Sequence, residues 1–309
     1  MAKERNSTLD FIVYLLCRFV AMLFQCFPFA INHAIAKALG TTLYLVDRKH
    51  RNRALHNLER AFPAYPPAKV RSLTKESFQN LVLLAFEMIF TTRLIHLSTW
   101  RQYVELENFS EVLELLVRRK TGLIMLTGHF GNWEVLGYVL ATFGFETTSI
   151  ARPLDNPYLN QWILGVREKK GQRIVAKKGA TDEVVPVLES KGAVGFIADQ
   201  NAGSKGIFVD FFGRKASTYK SIGLLAMTYN VPIVIGYARR TGKPFGFMIG
   251  VQDIIHPADW ENQKDSLRYI THRYTKAIED IVMAAPSQYL WMHRRWKTRP
   301  KDEAPETYD

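Results

Sequence analysis

The sequence predicts an α/β fold: a mostly parallel or mixed central sheet flanked by helices, behind an N-terminal helical membrane anchor. Two patterns carry this expectation. From residue 122 onward, short apolar runs alternate with helical stretches over short connections, the signature of strand–helix–strand units in a largely parallel sheet. Ahead of that point, residues 11–31 form an apolar stretch of the length that crosses a bilayer core of ~30 Å. The 309 residues suffice for one α/β core with a helix or two attached.

The expected strands are GLIMLT (122–127), ETTSIA (146–151), GAVGFIA (192–198) and VPIVIGYA (231–238), with FGFMIGV (245–251) as an edge strand. Between them, residues 133–143, 157–169 and 219–229 read as helices, and 265–284 as a final helix leading into a basic aromatic tail. Residues 34–118 read as a helical lead-in. Within it, 69–95 carries apolar residues at helical spacing after Pro66-Pro67. The organisation is therefore an anchor (1–33) and one catalytic domain (34–309), whose α/β core and tail occupy 119–309.

Arg18 and Gln25 interrupt the apolar stretch, and Pro28 kinks or ends a helix there. A spanning anchor and a monotopic half-buried helix fit best, followed by a helix packed on a soluble domain. A cleaved signal peptide fits least, because no small-x-small cleavage site follows. Arg48, Lys49, Arg51, Arg53 and Arg60 lie just beyond, where cations favour the cytoplasmic side and anionic headgroups. A solvated helix face is the plainer reading of that cluster taken alone.

The formal net charge of +12 suits an acidic partner: nucleic acid, an anionic membrane or a phosphorylated substrate. The two cysteines, Cys17 and Cys26, both fall in the apolar stretch, so no disulfide staples the rest and no Cys-x-x-Cys pair offers a zinc site. This suits the cytoplasm or the cytoplasmic face of a membrane.

The chemistry concentrates in Gly128-His129-Phe130-Gly131-Asn132-Trp133-Glu134, which follows one strand and opens a helix. A strand-end histidine sits at the carboxyl edge of the sheet, where open α/β folds place ligands. Glu134, in the first turn of the next helix, is expected to fold back onto the imidazole, fixing its tautomer and freeing the other ring nitrogen as a base. No Gly-x-Ser-x-Gly nucleophile is present, so a direct attack by an acceptor hydroxyl is the economical chemistry. An isolated His and Glu would more simply be a hydrogen-bonded turn.

Other polar residues stand at matching strand ends: Arg152, Asp199 with Gln200, and Tyr237 with Arg239 and Arg240. Parallel strands bring them to one rim. Arg152 is then a bidentate phosphate ligand, with Asp199 holding it or the loop, although a surface ion pair is the plain alternative. Asn132, Gln200 and Arg239 join it as substrate-binding candidates. The backbone N–H groups of Gly131–Asn132 are candidate oxyanion donors. The glycine-punctuated loop 199–213 either covers an acyl chain, dips into the bilayer, or is a hairpin whose aromatics join the core. The tail 289–299 interleaves aromatics and cations, suiting a lipid interface or, less well, single-stranded nucleic acid.

At these residues the chain resembles the lipid A biosynthesis acyltransferases, the late lauroyl and myristoyl transferases of Gram-negative bacteria. The likeness runs from about residue 10 to 300. It is carried by Asn57-Leu58 through Ala61-Phe62-Pro63, Gly128 to Glu134, Arg152-Pro153 with Asn156-Pro157, Asp199-Gln200, Phe211-Phe212-Gly213, and Tyr289-Leu290-Trp291 through Arg294-Arg295-Trp296-Lys297. The resemblance implies a glycerolipid-acyltransferase-like fold in the bacterial inner membrane, facing the cytoplasm. It also implies acyl transfer from acyl carrier protein, or coenzyme A, to a hydroxyl of a lipid A precursor. Glycerolipid acyltransferases carry Asp where this chain has Glu134, so a simple lysophosphatidate acceptor is disfavoured. Phosphatidylinositol mannoside remains an alternative acceptor.

The expected mechanism needs no metal or organic cofactor. His129 takes the proton of the acceptor hydroxyl, Glu134 orients His129, and the oxygen attacks the thioester carbonyl. Two rivals stay open. In a thioesterase-like hydrolase, water replaces the alcohol. A basic membrane-surface binding protein would make no acyl product.

Overall fold

A computed structural model describes residues 6–176 and 179–303. Residues 1–5 of the expected anchor and 304–309 of the expected tail lie outside the described residues. Among those described, seven strands form one sheet: Val104–Glu107 (β1), Leu123–Thr127 (β2), Thr147–Ala151 (β3), Gln172–Ala176 (β4), Ala193–Ile197 (β5), Ile233–Arg240 (β8) and Phe247–Ile255 (β9). A separate antiparallel hairpin joins Ile207–Phe211 (β6) to Arg214–Thr218 (β7). Four helices precede β1 with only a short fifth between: Ser7–Gln25 (α1), Phe29–Val46 (α2), Arg48–Ala61 (α3), Pro67–Leu94 (α4) and Trp100–Tyr103 (α5). Helices Ser110–Arg118 (α6), Trp133–Thr142 (α7), Pro157–Glu168 (α8), Ala180–Glu189 (α9) and Ser221–Tyr229 (α10) connect the strands. Pro257–Glu261 (α11) and Ser266–Ala284 (α12) follow them.

The sheet order is β1-β9-β8-β2-β5-β3-β4. Five neighbours, β8, β2, β5, β3 and β4, run parallel; β9 runs antiparallel to β8, and β1 is parallel to β9. The sheet is therefore mixed and mostly parallel, as its buried apolar strands require. Period-two alternation divides the core. Ile124, Leu126, Val194, Ile233 and Ile235 pack with Ile270, Tyr274 and Ile278 of α12, while Leu123, Ala193 and Val234 pack with Val135, Tyr138 and Val139 of α7.

One expectation changes, and two open readings are decided. The apolar stretch 11–31 is two helices, because Pro28, with no N–H to donate, stands at the N-cap of α2. Residues 245–251 do not form an edge: β9 is interior, and β1 covers its outer side with Glu105 and Glu107 flanking the exposed Leu106. That short, charged strand was hidden in the helical lead-in, as was β4 in a polar run. Loop 199–213 leads into the hairpin, with Val209 and Phe211 buried, so its aromatics belong to the core.

The lead-in helices have a definite job: they grip the chain just after α12. Asn57 Nδ2 donates to the carbonyls of Trp291 (2.7 Å) and His293 (2.8 Å), and Arg53 Nη1 to that of Met292 (3.1 Å). On α4, Ser77 Oγ donates to Tyr289 O at 2.6 Å and Asn80 Nδ2 to Ser287 O at 2.9 Å. This strap is irregular, so its buried carbonyls depend on side chains for partners. The basic aromatic tail is correspondingly not a surface ribbon. Trp291, Trp296 and Arg295 are buried, and the Arg295 guanidinium donates to Ser217 O and Thr218 Oγ1, each at 2.7 Å.

Asn57→Asp keeps the shape but loses the donor, leaving two buried carbonyls against a carboxylate. It is expected to cost at least about 2 kcal/mol of stability, read by denaturant unfolding in detergent. A change under about 0.5 kcal/mol would show that the strap does not depend on this grip.

Candidate active site

The site begins with register. Residues Leu123 to Thr127 of β2 pair in step with Ala193 to Ile197 of β5, and Ala198 N donates to Thr127 O at 2.9 Å. The two strands therefore release their chains side by side at the carboxyl edge. His129 follows one and Asp199 the other. Asp199 Oδ1 accepts from His129 Nδ1 at 2.7 Å, and Asp199 Oδ2 accepts from the His129 backbone N–H at 2.8 Å. The Asp199 side chain is fully buried and that of His129 is 15% exposed. Burial pushes the Asp199 carboxyl upward, but the charge and hydrogen bonds of His129, with a further contribution from His293, outweigh it and hold it well below the usual carboxylate range. An ionised carboxylate only accepts, so Nδ1 carries a proton, and in the uncharged ring the lone pair is then on Nε2.

This corrects the sequence reading of Glu134. Its carboxylate does not return to the imidazole. It takes a two-pronged bond from Arg167 at the end of α8: Nε to Oε2 at 2.8 Å and Nη2 to Oε1 at 2.6 Å. Burial alone would lower the Arg167 pKa, and the hydrogen bonds and charge of Glu134 raise it on balance. Asp199, expected to hold Arg152 or its loop, instead spends both oxygens on His129. Arg152 lies on the surface, its side chain 83% exposed, with Asp155 at 4.0 Å.

The turn between His129 and α7 is fixed on every side. Gly131 has φ +58°, and a Cβ there would stand 1.9 Å from Ala238 O, so only glycine fits. Its N–H donates to Gln288 O at 3.0 Å, and that of Asn132 to Ala238 O at 2.8 Å. Both candidate oxyanion donors are thus already engaged. Asn132 is fully buried and caps α7, accepting from the N–H groups of Glu134 and Val135, while its Nδ2 donates to Glu87 Oε2 at 2.7 Å. It positions the turn, and its amide is not turned to a substrate. Glu87 also takes both Nε and Nη2 of Arg240 at 2.7 Å. So Arg240, not its neighbour Arg239, is the buried strand-end arginine. Arg239 lies partly exposed, 5.9 Å from the Tyr237 ring, and Tyr237 donates to Glu107, which with burial lifts the phenol to about 12.

Two rings and two hollows complete the surroundings. Trp133 meets the His129 ring edge-on at 5.0 Å, and His293 meets it at 4.5 Å. Burial first, then the charge His129 would carry if protonated and that of Arg53, outweigh the opposing Asp199 carboxylate and push the His293 pKa down to about 4, so this ring is neutral at physiological pH. Beside Trp133, Glu134 and Arg167, an apolar cavity runs between the sheet and α6 and α7, past Val112, Leu136 and Leu140. Gly195, Gly236 and Gly250 line it from the sheet. Gln200 lines a second hollow that also contains His293. Sequence reasoning passed over Arg167, Glu87 and His293. Arg167 resembles an ordinary last-turn cation, Glu87 falls mid-helix, and only the strap's place in the motif pointed to His293.

Residues 2–298 match the family described as bacterial lipid A biosynthesis acyltransferase. A lipid A biosynthesis acyltransferase of Haemophilus influenzae is 25% identical over 301 residues, covering 94% of this chain and 89% of that protein. The lipid A biosynthesis lauroyltransferase of Escherichia coli is 26% identical over 281 residues, 89% of this chain and 88% of its own length. The myristoyltransferase of the same organism is 25% identical over 273 residues, 87% and 82% of the two chains. With nearly its whole length matched and a strand-end histidine held by a buried carboxylate, this chain belongs to the bacterial lipid A biosynthesis acyltransferases.

Proposed function

We propose that this enzyme moves a fatty-acyl chain from a thioester of acyl carrier protein or coenzyme A to a hydroxyl of a lipid A precursor, with His129 as the base. The observation that carries the reading is the His129–Asp199 pair at 2.7 Å beside an apolar cavity. Nε2 of His129 accepts the hydroxyl proton as the oxygen attacks the thioester carbonyl. The C–S bond breaks, and the thiolate leaves with the proton returned by the imidazolium. Asp199 holds the tautomer and steadies the positive ring. The acyl chain occupies the apolar cavity. Arg167 spends Nε and Nη2 on Glu134, and its Nη1 is left to stabilise the carbonyl oxygen as charge develops there. Glu134 thus remains in the catalytic group, acting through Arg167 instead of through His129. Arg152, Gln200 and Arg239 are retained as contacts to substrate outside this centre.

The reading extends to the membrane. Among the described residues α1 alone is long and apolar enough to cross a bilayer, by length and composition. Leu9, Leu16, Phe19 and Met22 are more than half exposed on it, and Leu45 and Val46 continue the apolar surface on α2. The other side of α1 rests on α8: Asn156 Nδ2 donates to Asp10 O at 2.8 Å, and Arg18 lies 5.2 Å from the Trp162 ring. That contact keeps the Arg18 charge off the exposed apolar side and keeps the anchor beside α8, whose end carries Arg167. We place the enzyme on the cytoplasmic face of the inner membrane.

His129→Ala is expected to lower kcat by ~10²–10⁴, and Asp199→Asn, which loses the anionic acceptor, by a similar order. Glu134→Ala loses most activity through Arg167. Product mass spectrometry with a thioester donor and a phosphorylated disaccharide lipid acceptor reads all three. Near-normal turnover by His129→Ala sinks the mechanism.

A chain lacking residues 6–25 is expected to leave the membrane pellet at high salt and to lose more activity on bilayer substrate than on detergent-dispersed substrate. If it stays wholly with membranes and works equally well on both, α1 is not the anchor.

A further inference from the structure

The cations near His129 are gathered in the hollow on its His293 side, not at the surface position of Arg152. This hollow, about 530 Å³, opens between the lead-in helices and the strap. His50 and Arg53 of α3 border it from one side, Arg294 and Lys297 from the other. Asp47 is the one carboxylate in its lining, and it is already taken by His50, Oδ2 to Nδ1 at 2.7 Å and Oδ1 to the backbone N–H at 3.1 Å. Surface cations elsewhere are commonly paired, as Arg118 with Glu114 and Lys215 with Asp210. Arg294 and Lys297 are exposed and have no acidic partner among the described residues. Two unpaired cations face one hollow with a buried guanidinium behind them, and they outnumber its single lining carboxylate, so the field there is net positive.

The hollow also lies next to the base. A narrow crevice lined by Leu81, His129, Trp133 and Leu290 shares Leu81 and Leu290 with the hollow and Trp133 with the apolar cavity. His293 stands in the hollow with its ring 4.5 Å from that of His129. Apolar cavity, base and cationic hollow therefore adjoin one another in that order. If the acyl chain fills the first, the molecule whose hydroxyl meets His129 extends into the last.

We propose that this hollow binds the phosphorylated sugar headgroup of the acceptor, its phosphate held by Arg294 and Lys297 over Arg53. The proposal rests on the acyl-transfer reading above and gives that reading its acceptor site. Gln200, also in the lining, offers its amide to sugar hydroxyls, while the neighbouring Asn201 amide is held by Thr298. Leu43 carries the hollow onto the exposed apolar side of α2, where the acceptor's own acyl chains leave for the bilayer. The donor's phosphate, at the far end of a pantetheine arm from the reacting sulfur, is the other source of the same chemistry. The hollow starts at a ring that touches the base, which favours the acceptor.

The test uses the full chain in detergent and the double variant Arg294→Gln/Lys297→Gln. Both positions are exposed, so folding is expected to survive and is checked by circular dichroism. The acceptor is a bis-phosphorylated disaccharide lipid or its phosphatase-treated form. The variant is expected to raise KM for the phosphorylated acceptor by about tenfold or more, the loss of charge-assisted hydrogen bonds, with KM for the thioester donor unmoved. Removing the phosphates and removing the cations must be non-additive, so on the treated acceptor the variant's penalty shrinks to within about threefold. Co-flotation of the protein with detergent micelles carrying each acceptor, without donor, gives a second reading. Wild type favours the phosphorylated lipid, and the variant loses that preference. Equal penalties on both acceptors, a rise confined to the donor KM, or an unchanged micelle preference each overturn the proposal. Should flotation behave as expected while no donor yields product, the headgroup site stands and the acyl-transfer reading falls.

Discussion

The active edge of this protein depends on one buried carboxylate. Asp199 accepts from two donors of the same residue, the backbone N–H and the ring Nδ1 of His129. It thereby ties the end of β5 to the end of β2 and sets the ring's tautomer in one stroke. A buried anion is costly unless its lone pairs are met, and His129 meets both oxygens. Losing the ring would leave the charge stranded; losing the carboxylate would free the ring to rotate. The pair is therefore a structural and a chemical constraint together, and the surroundings are arranged to keep it.

That arrangement explains the long helical lead-in. Asn57, Arg53, Ser77 and Asn80 hold strap carbonyls between Ser287 and His293, and the strap in turn receives His129 O on Leu290 N at 3.0 Å. Glu87 of α4 adds a second brace through Asn132 and Arg240. The His129 turn is thus fastened from the sheet, from α4 and from the strap. Such preorganisation is what the proposed base needs in order to meet a hydroxyl without rearrangement.

The strand–helix alternation after residue 122 was legible, because apolar period and glycine punctuation are local signals. So was the strand-end position of His129. The partner of its ring was not. Glu134 is near in sequence and Asp199 is 70 residues away, and only the in-step pairing of β2 with β5 makes the distant one adjacent. Arg167 and Glu87 were invisible for the same reason: each is an ordinary helical charge until tertiary contact supplies its partner. β1, a four-residue strand with two glutamates, has no pattern that separates it from a helix end. The tail's Trp291 and Trp296 suggested an interface by composition, yet their rings fill the core, since composition does not report depth.

The central claim is that Asp199 fixes His129 with the proton on Nδ1. Histidine-selective ¹⁵N nuclear magnetic resonance of the full chain in detergent measures this directly. At neutral pH the account predicts a protonated Nδ1 with a downfield-shifted proton and an unprotonated Nε2 for His129, a signature that disappears in Asp199→Ala. A proton on Nε2 in the wild type, or an unaltered His129 signature without Asp199, contradicts it.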